Sequence, residues 1–441
     1  MKVFLCITCF ILYSNFISAQ NGFHFLTPKK KVSIPFKLIN NLIIIPIQIN
    51  GVELNFLLDT GVEETILFSL DEKEEIQLNN VEKIKLRGLG HEDSIEGLKS
   101  TGNTLSLYGL EKTEQVVLIV LNEAMNFSSS LGVPINGIIG YQFFNDDLVK
   151  INYASKEIVV YNQSKMNNQS ILKGFVSYAI TIERSKPYVN ATIVIDKDVI
   201  PVKLLLDTGN SDALWLFHKK RDKLEIPTNN FEDFLGRGFS GEVYGRKTRI
   251  SNFSLDRFEF LKPLVAFPDT VSIRHVKMVK NRSGSIGGEI LKRFSVILDY
   301  RNNKLYLKKN SHYNDPFHYN MSGIEIHHSG FKVVKEETDS KNSAIRDGIK
   351  IDLGTKEYDI KYKFELKPMY EIVSIRKDSP AEIAGLKKGD HIISINKTAS
   401  YKYTLQQINE LLKSKDGKLL VIEVERNNVE LKFKLVLKSI L

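Results

Sequence analysis

Short apolar runs separated by Asn, Asp and Gly turns fill most of this chain, and within many of them polar and apolar residues alternate. That period of two predicts strands rather than helices. The pattern also occurs twice. Leu42 to Phe68 reads LIIIPIQINGVELNFLLDTGVEETILF, and Tyr188 to Phe217 reads YVNATIVIDKDVIPVKLLLDTGNSDALWLF. In each copy a predicted hairpin feeds an apolar run that ends in Asp-Thr-Gly, at Asp59 and Asp207. Gly88-Leu89-Gly90 is then matched by Gly236-Arg237-Gly238, and Asn136-Gly137-Ile138-Ile139-Gly140 by Ser283-Gly284-Ser285-Ile286-Gly287. Finally Leu148-Val149-Lys150-Ile151-Asn152-Tyr153 is matched by Ser295-Val296-Ile297-Leu298-Asp299-Tyr300. Four landmarks in one order predict a duplicated β lobe, at residues 20–162 and 163–310. Short helices are expected only after each Ile-Gly, at Tyr141 to Asp147 and Glu289 to Phe294.

A polar stretch, Asn162 to Ser170, is expected to join the lobes, and another, Lys309 to Asn320, leads to a third region at 321–441. There Tyr370 to Asn396 reads YEIVSIRKDSPAEIAGLKKGDHIISIN: a strand, a Ser379-Pro380 turn, a short helix, a Gly389-Asp390 turn and a second strand. Thr404 to Lys415 has helical apolar spacing at Leu405, Ile408, Leu411 and Leu412, and Leu419 to Leu437 reads as a hairpin.

The 441 residues allow two or three domains, and 42% hydrophobic content supports packed cores. The net charge of +9 is spread thinly, without a dense basic stripe, so a solvated surface is expected and no nucleic-acid partner. Lys2, the apolar run Val3 to Phe16 and Ile17-Ser18-Ala19 read as a cleavable leader at 1–19. No other run is long and apolar enough for a transmembrane anchor. Both cysteines, Cys6 and Cys9, fall in that leader without a lipobox, so the mature chain needs no disulfide. Export to the periplasm or the medium is the expectation.

The chemistry is carried by the two Asp-Thr-Gly copies. An apolar strand holds each carboxylate at its end, and glycine lets the following backbone approach and donate to it. Thr60 and Thr208 offer hydroxyls that can tie one loop to the other, with Gly61 and Gly209 completing the turns. If pseudo-twofold symmetry brings Asp59 and Asp207 together, the like charges share a proton. The ionised carboxylate can then activate a water against a peptide carbonyl, and the protonated one can donate to the developing oxyanion. No metal or cofactor is required.

Asp59-Thr60-Gly61-Val62-Glu63-Glu64-Thr65-Ile66-Leu67 resembles the catalytic loop of retroviral aspartic proteases, and Gly137-Ile138-Ile139-Gly140 resembles their later apolar-apolar-Gly signature. The chain looks like two such units fused, over roughly residues 35 to 310. The resemblance implies a mainly β, two-lobed retropepsin-like fold, an Asp59/Asp207 dyad, and flaps near Gly88 and Gly90 and near Gly236 and Gly238. Ser379-Pro380-Ala381 and Ala384-Gly385-Leu386-Lys387-Lys388-Gly389-Asp390 resemble a bacterial PDZ domain, an α+β module of five to six strands that binds peptide C-termini. Its carboxylate loop would be Gly323-Ile324, with Ile326 and Ile408 as an apolar wall and 327–368 partly a charged insertion. The whole arrangement resembles aspartyl proteases of Bacteroidetes.

Two positions depart from the retroviral pattern. Where Ala, Ser or Thr is usual after Asp-Thr-Gly, this chain has Val62 and Asn210. An Asn210 amide donating to Asp207 is expected to make Asp207 the more acidic of the pair, with Val62 favouring the protonated form of Asp59. Trp215 reads as core. His91-Glu92 lacks a second histidine four residues on and is no zinc motif, and Ile286 interrupts the serine-protease-like reading of Ser283 to Gly288. The leading expectation is an aspartic endopeptidase acting on exported or cell-surface proteins. Its rivals are a catalytically silent peptide-binding scaffold and a PDZ-bearing serine protease, the latter disfavoured by the missing Ser/His set.

Overall fold

The computed structural model describes residues 22–69, 75–86, 95–120, 127–163, 170–218, 223–238, 241–274, 276, 278–338, 344–346, 349–351 and 361–441. The leader and its cysteines, and Gly88 and Gly90, lie outside the described residues. The chain is mainly β, as the alternation predicts, with short helices between the strands.

The duplicated landmarks become duplicated topology. In the first lobe, strand Gly137–Ile139 runs parallel to Val52–Leu58 and antiparallel to Thr65–Leu67. In the second, Arg282–Ile286 runs parallel to Asp198–Leu206 and antiparallel to Leu214–Leu216. Each Asp-Thr-Gly loop therefore leaves a central strand and returns on the far side of a third strand inserted between. The strand ends that lead into the Asp-Thr-Gly loops, Phe56 to Leu58 and Leu204 to Leu206, are buried on both faces, which is why they are continuous apolar runs, while the strand starts before them alternate. The expected helices after Ile-Gly are present as Tyr141–Phe144 and Gly288–Leu291.

The last repeated landmark has a role that its sequence did not announce. Leu148–Asn152 pairs antiparallel with Phe294–Asp299, with Val149 opposite Leu298 and Ile151 opposite Val296. The two copies thus zip to each other at the centre of a six-stranded sheet to which both lobes contribute. One apolar core runs through both lobes, from Ile34 and Ile151 to Val296 and Leu307. The polar stretch after Lys309 is no loose linker. Tyr313 and Phe317 pack against the second lobe, and the buried Arg293 guanidinium stacks 4.0 Å from the Phe317 ring centroid.

The third region has its own core, built on a six-stranded sheet. Ser379 caps helix Pro380–Ala384 and accepts from Glu382 N, while Gly385 ends it at φ 93°, so the Ser-Pro…Ala-Gly signature is helix punctuation. Helix Leu405–Leu412 starts in a Thr404/Gln407 capping box and buries Leu405, Ile408 and Leu412. Asp390, after Gly389, is held by Arg426 through two charge-assisted bonds of 2.6 and 2.7 Å. The expected insertion at 327–368 is different in kind. Strands Ile324–Thr338 and Lys361–Ile375 pair along their length, so much of that stretch prolongs two strands of the module itself. Phe331, Val333, Phe364 and Leu366 are exposed there, between lysines and glutamates that keep the ribbon solvated. Among the described residues no helix is long and apolar enough to cross a membrane.

Candidate active site

The two Asp-Thr-Gly loops meet on the pseudo-twofold axis. Thr60 N donates to Thr208 Oγ1 and Thr208 N to Thr60 Oγ1, both at 3.0 Å. Each hydroxyl donates in turn to a carbonyl of the opposite strand: Thr60 Oγ1 to Leu206 O at 2.6 Å, and Thr208 Oγ1 to Leu58 O at 2.7 Å. Both threonines are buried, so these four bonds lock the strand ends where water cannot compete.

Above this lock the Asp59 and Asp207 carboxyl groups hydrogen-bond each other. The glycines allow the approach. A methyl group on Gly209 would lie 2.2 Å from the Asp59 carboxyl carbon, and one on Gly61 3.1 Å from an Asp207 oxygen. Asp59 accepts from Gly61 N at 2.7 Å and also from the Gly209 N–H. Burial raises both carboxyls above the usual range, and Asp207 is pushed up to about 7 by burial and by the Asp59 charge, against the opposing Arg282 and Lys186. The backbone donors go to Asp59 and favour its ionised form, while burial and the Asp59 charge favour the protonated form of Asp207.

That order reverses the expectation from Asn210. The Asn210 amide turns away from the carboxyls: its Nδ2 donates to Ser285 Oγ at 3.4 Å and its Oδ1 accepts from Asp212 N at 2.9 Å. It closes its own loop and gives Asp207 nothing. Val62, in contrast, packs on the apolar wall of the first lobe beside Asp59. Trp215 is likewise not core. It is half-buried, lines the cleft and donates through Nε1 to Asp212 at 2.8 Å.

A cavity of about 1840 Å³ opens over the carboxyls. Gly236 and Gly238 lie on its edge, in hairpin Asn230–Gly238/Gly241–Arg249, where Gly236 takes φ 142° at a register shift and Gly238 faces Gly241 at the hairpin end. Lys85 and Leu86, which lead into the segment holding Gly88 and Gly90, also reach the cavity.

At its far end the cavity reaches Gly323 and Ile324 of the third region. The loop is already satisfied from within: Gly323 N donates to Asn320 Oδ1 and Ile324 N to Ser322 Oγ, both at 3.2 Å. Ile326 and Ile408, expected as an apolar wall of the groove, are 1% and 0% exposed and belong to the module's core. The module is seated on the protease-like lobes. Arg376 lies 4.4 Å over the Phe231 ring and 3.8 Å from Asp233, both in the Gly236 hairpin strand, and Gly132 of the first lobe abuts Leu405.

Two cations of the site escaped the sequence reading. Lys186 and Arg282 both line the cleft within electrostatic range of Asp207. Neither belongs to a motif; both stand where the first lobe has apolar residues, Leu42 and Ile135. Among the described residues, no cluster of three or more His, Cys, Asp or Glu could hold a metal.

Comparison with protein-family models gives two matches: an aspartyl protease domain over residues 45–143, which contains Asp59, and a PDZ domain over residues 371–426. The second lobe, with Asp207, repeats the topology of the matched one. No curated protein matches the chain.

Proposed function

We propose that this protein is an aspartic endopeptidase in which Asp59 and Asp207 form one catalytic pair, with a PDZ module that binds peptides. The observation that carries this reading is the pair itself: two half-buried carboxyls in mutual contact, of which only one is supplied with backbone donors. A water bound between them loses a proton to Asp59 as its oxygen attacks the peptide carbonyl carbon, while Asp207 gives its proton to the carbonyl oxygen. In the second step the proton on Asp59 passes to the leaving nitrogen as the C–N bond breaks, and a hydroxyl of the tetrahedral intermediate returns a proton to Asp207. Incubating the protein with a peptide library and reading the products by mass spectrometry tests the activity. A protein that leaves the library intact across pH 3 to 8 is the silent scaffold instead.

The pH dependence follows from the direction of the shifts. Asp207 must be protonated to act as acid, so the rate falls as pH rises through its raised value of about 7. Asp59 must be ionised, so the rate also falls when pH drops low enough to protonate it. The expected profile is a bell whose alkaline limb lies near neutrality, and the two limbs belong to the pair. An alkaline limb below about pH 5, near the ordinary carboxyl range, would contradict this assignment.

For the PDZ module, amidating the C-terminus of an apolar-ended peptide is expected to weaken binding, because a carboxylate is what can replace Asn320 Oδ1 and Ser322 Oγ as acceptor for the loop N–H groups. Equal affinities of the acid and the amide in calorimetry rule the mode out. The leader sequence supports export, with substrates among exported or cell-surface proteins; mass spectrometry of the exported protein is expected to find Gln20 at its N-terminus.

A further inference from the structure

The pseudo-twofold axis permits a position-by-position comparison of the two cleft walls. Ile44 pairs with Leu57 and Tyr188 with Leu205, which makes Leu42 the counterpart of Lys186. Gly137 pairs with Phe56 and Gly284 with Leu204, which makes Ile135 the counterpart of Arg282 and Ile138 that of Ser285. In the first lobe Leu42, Ile44, Leu57, Ile135 and Ile138 form a closed apolar cluster with Val62 packed on it. The second lobe answers with Lys186, Tyr188, Leu205, Arg282, Ser285 and Asn210. At these matched positions the first lobe is apolar and the second polar and cationic, while Glu63 and Glu64 of the first lobe and Asp212 of the second also line the cavity.

Lys186 is half-buried and lines the cavity, yet its ammonium makes no hydrogen bond, ring contact or ion pair within 4.0 Å among the described residues. Arg282 is 8% exposed, donates to Gly284 O at 3.1 Å and stacks 5.2 Å from the Phe217 ring. Glu63 is the other acid in range of Lys186. It is exposed at the rim, where Ser185 Oγ donates to it at 3.2 Å. Lys186 therefore stands in a partly desolvated cleft without a direct counter-ion among the described residues, and the acids Asp59, Asp207 and Glu63 act on it only from a distance. An uncompensated charge in a partly desolvated cleft is costly, and a substrate carboxylate would relieve it.

We propose that the second-lobe wall is a carboxylate subsite in which Lys186, backed by Arg282, receives an acidic group of the substrate next to the scissile bond, while the first-lobe wall takes an apolar side chain across that bond. The inference rests on the hydrolytic reading above and names its substrate class. The acidic group is a Glu or Asp side chain or a free C-terminal carboxylate.

The test uses the full-length mature protein and peptides matched around a cut site found in a library. Glu and Gln versions are compared at the residues flanking the cut, and free acid and amide versions at a C-terminus placed beside it. In wild type, kcat/KM for the preferred acidic peptide is expected to exceed that of its neutral partner by about tenfold or more. Lys186→Met is expected to remove the preference and Lys186→Arg to retain it. Preference in the Glu/Gln arm alone identifies a side-chain carboxylate, and in the acid/amide arm alone a C-terminus. A ratio near one in wild type in both arms, or a ratio unchanged in Lys186→Met, overturns the proposal while leaving hydrolysis standing. If no peptide is cut, the hydrolytic reading fails. Fluorescence anisotropy with labelled Glu/Gln and acid/amide pairs of library peptides that bind the protein then decides the subsite: Lys186-dependent preference for the acid supports it, and equal binding overturns it.

Discussion

Asp207→Asn and Asp59→Asn are each expected to abolish peptide cleavage, lowering kcat by at least about a thousandfold, because neither half of a shared-proton pair works alone. With Asn at 207 there is no acid for the carbonyl oxygen, and with Asn at 59 there is no base for the water. The fold is expected to survive, since the change keeps the size of a side chain whose neighbours are fixed by the threonine lock. Stability should even gain above neutral pH. Asp207 binds its proton more tightly in the folded protein, at about 7, than in the unfolded chain at 3.8. A raised acid contributes stability below the unfolded value, and that contribution is lost as pH rises through the folded one. For a half-buried carboxyl at the floor of a cleft the loss is on the order of a few kcal/mol at most. Thermal unfolding at pH 5 and pH 8 checks it: wild type should lose stability between the two, and Asp207→Asn should lose less. A variant with near wild-type turnover sinks the pair assignment, whatever its stability.

The sequence disclosed the duplication because the repeated strand ends before the loops are buried on both faces. Burial of that kind leaves continuous apolar runs, and the Asp-Thr-Gly loops stand out against them. It disclosed the third region because Ser379, Gly385 and Gly389 are backbone punctuation, which few residue types can supply. What stayed hidden depends on where side chains turn after folding. Asn210 reads as a donor to Asp207 until its amide is seen closing its own loop on Asp212 and Ser285. Trp215 reads as core because its strand is apolar on both sides, yet its ring reaches the cleft. The stretch after Ile326 reads as an insertion because its charges conceal a period of two, and only the pairing of Lys332 with Lys367 and Val333 with Leu366 reveals one long hairpin. Lys186 and Arg282 belong to no motif; they acquire meaning against Leu42 and Ile135, and that comparison needs the register.

The threonine lock separates structural from chemical roles. Thr208→Val preserves shape but leaves Thr60 N without its acceptor and Leu58 O without its donor, in a site closed to water. Each orphaned buried group costs about 1–3 kcal/mol, so a loss of about 2–6 kcal/mol is expected for the two. Thr60→Val should cost a similar amount, since it orphans Thr208 N and Leu206 O in the mirror-image way. In a thermal melt this corresponds to a fall of about 5–15 °C for a unit of this size. Activity should fall as well, because the loops that hold Asp59 and Asp207 in contact are no longer tied across the axis. Thr208→Ser keeps the hydroxyl and should recover most of both losses. The pattern differs from that of the aspartate variants, which are expected to lose activity while keeping the fold. If Thr208→Val melts within about 1 °C of wild type, less than about 0.5 kcal/mol by the same scaling, the four bonds do not hold the lobes together. The union of the lobes would then rest on the zipped strands Leu148–Asn152 and Phe294–Asp299.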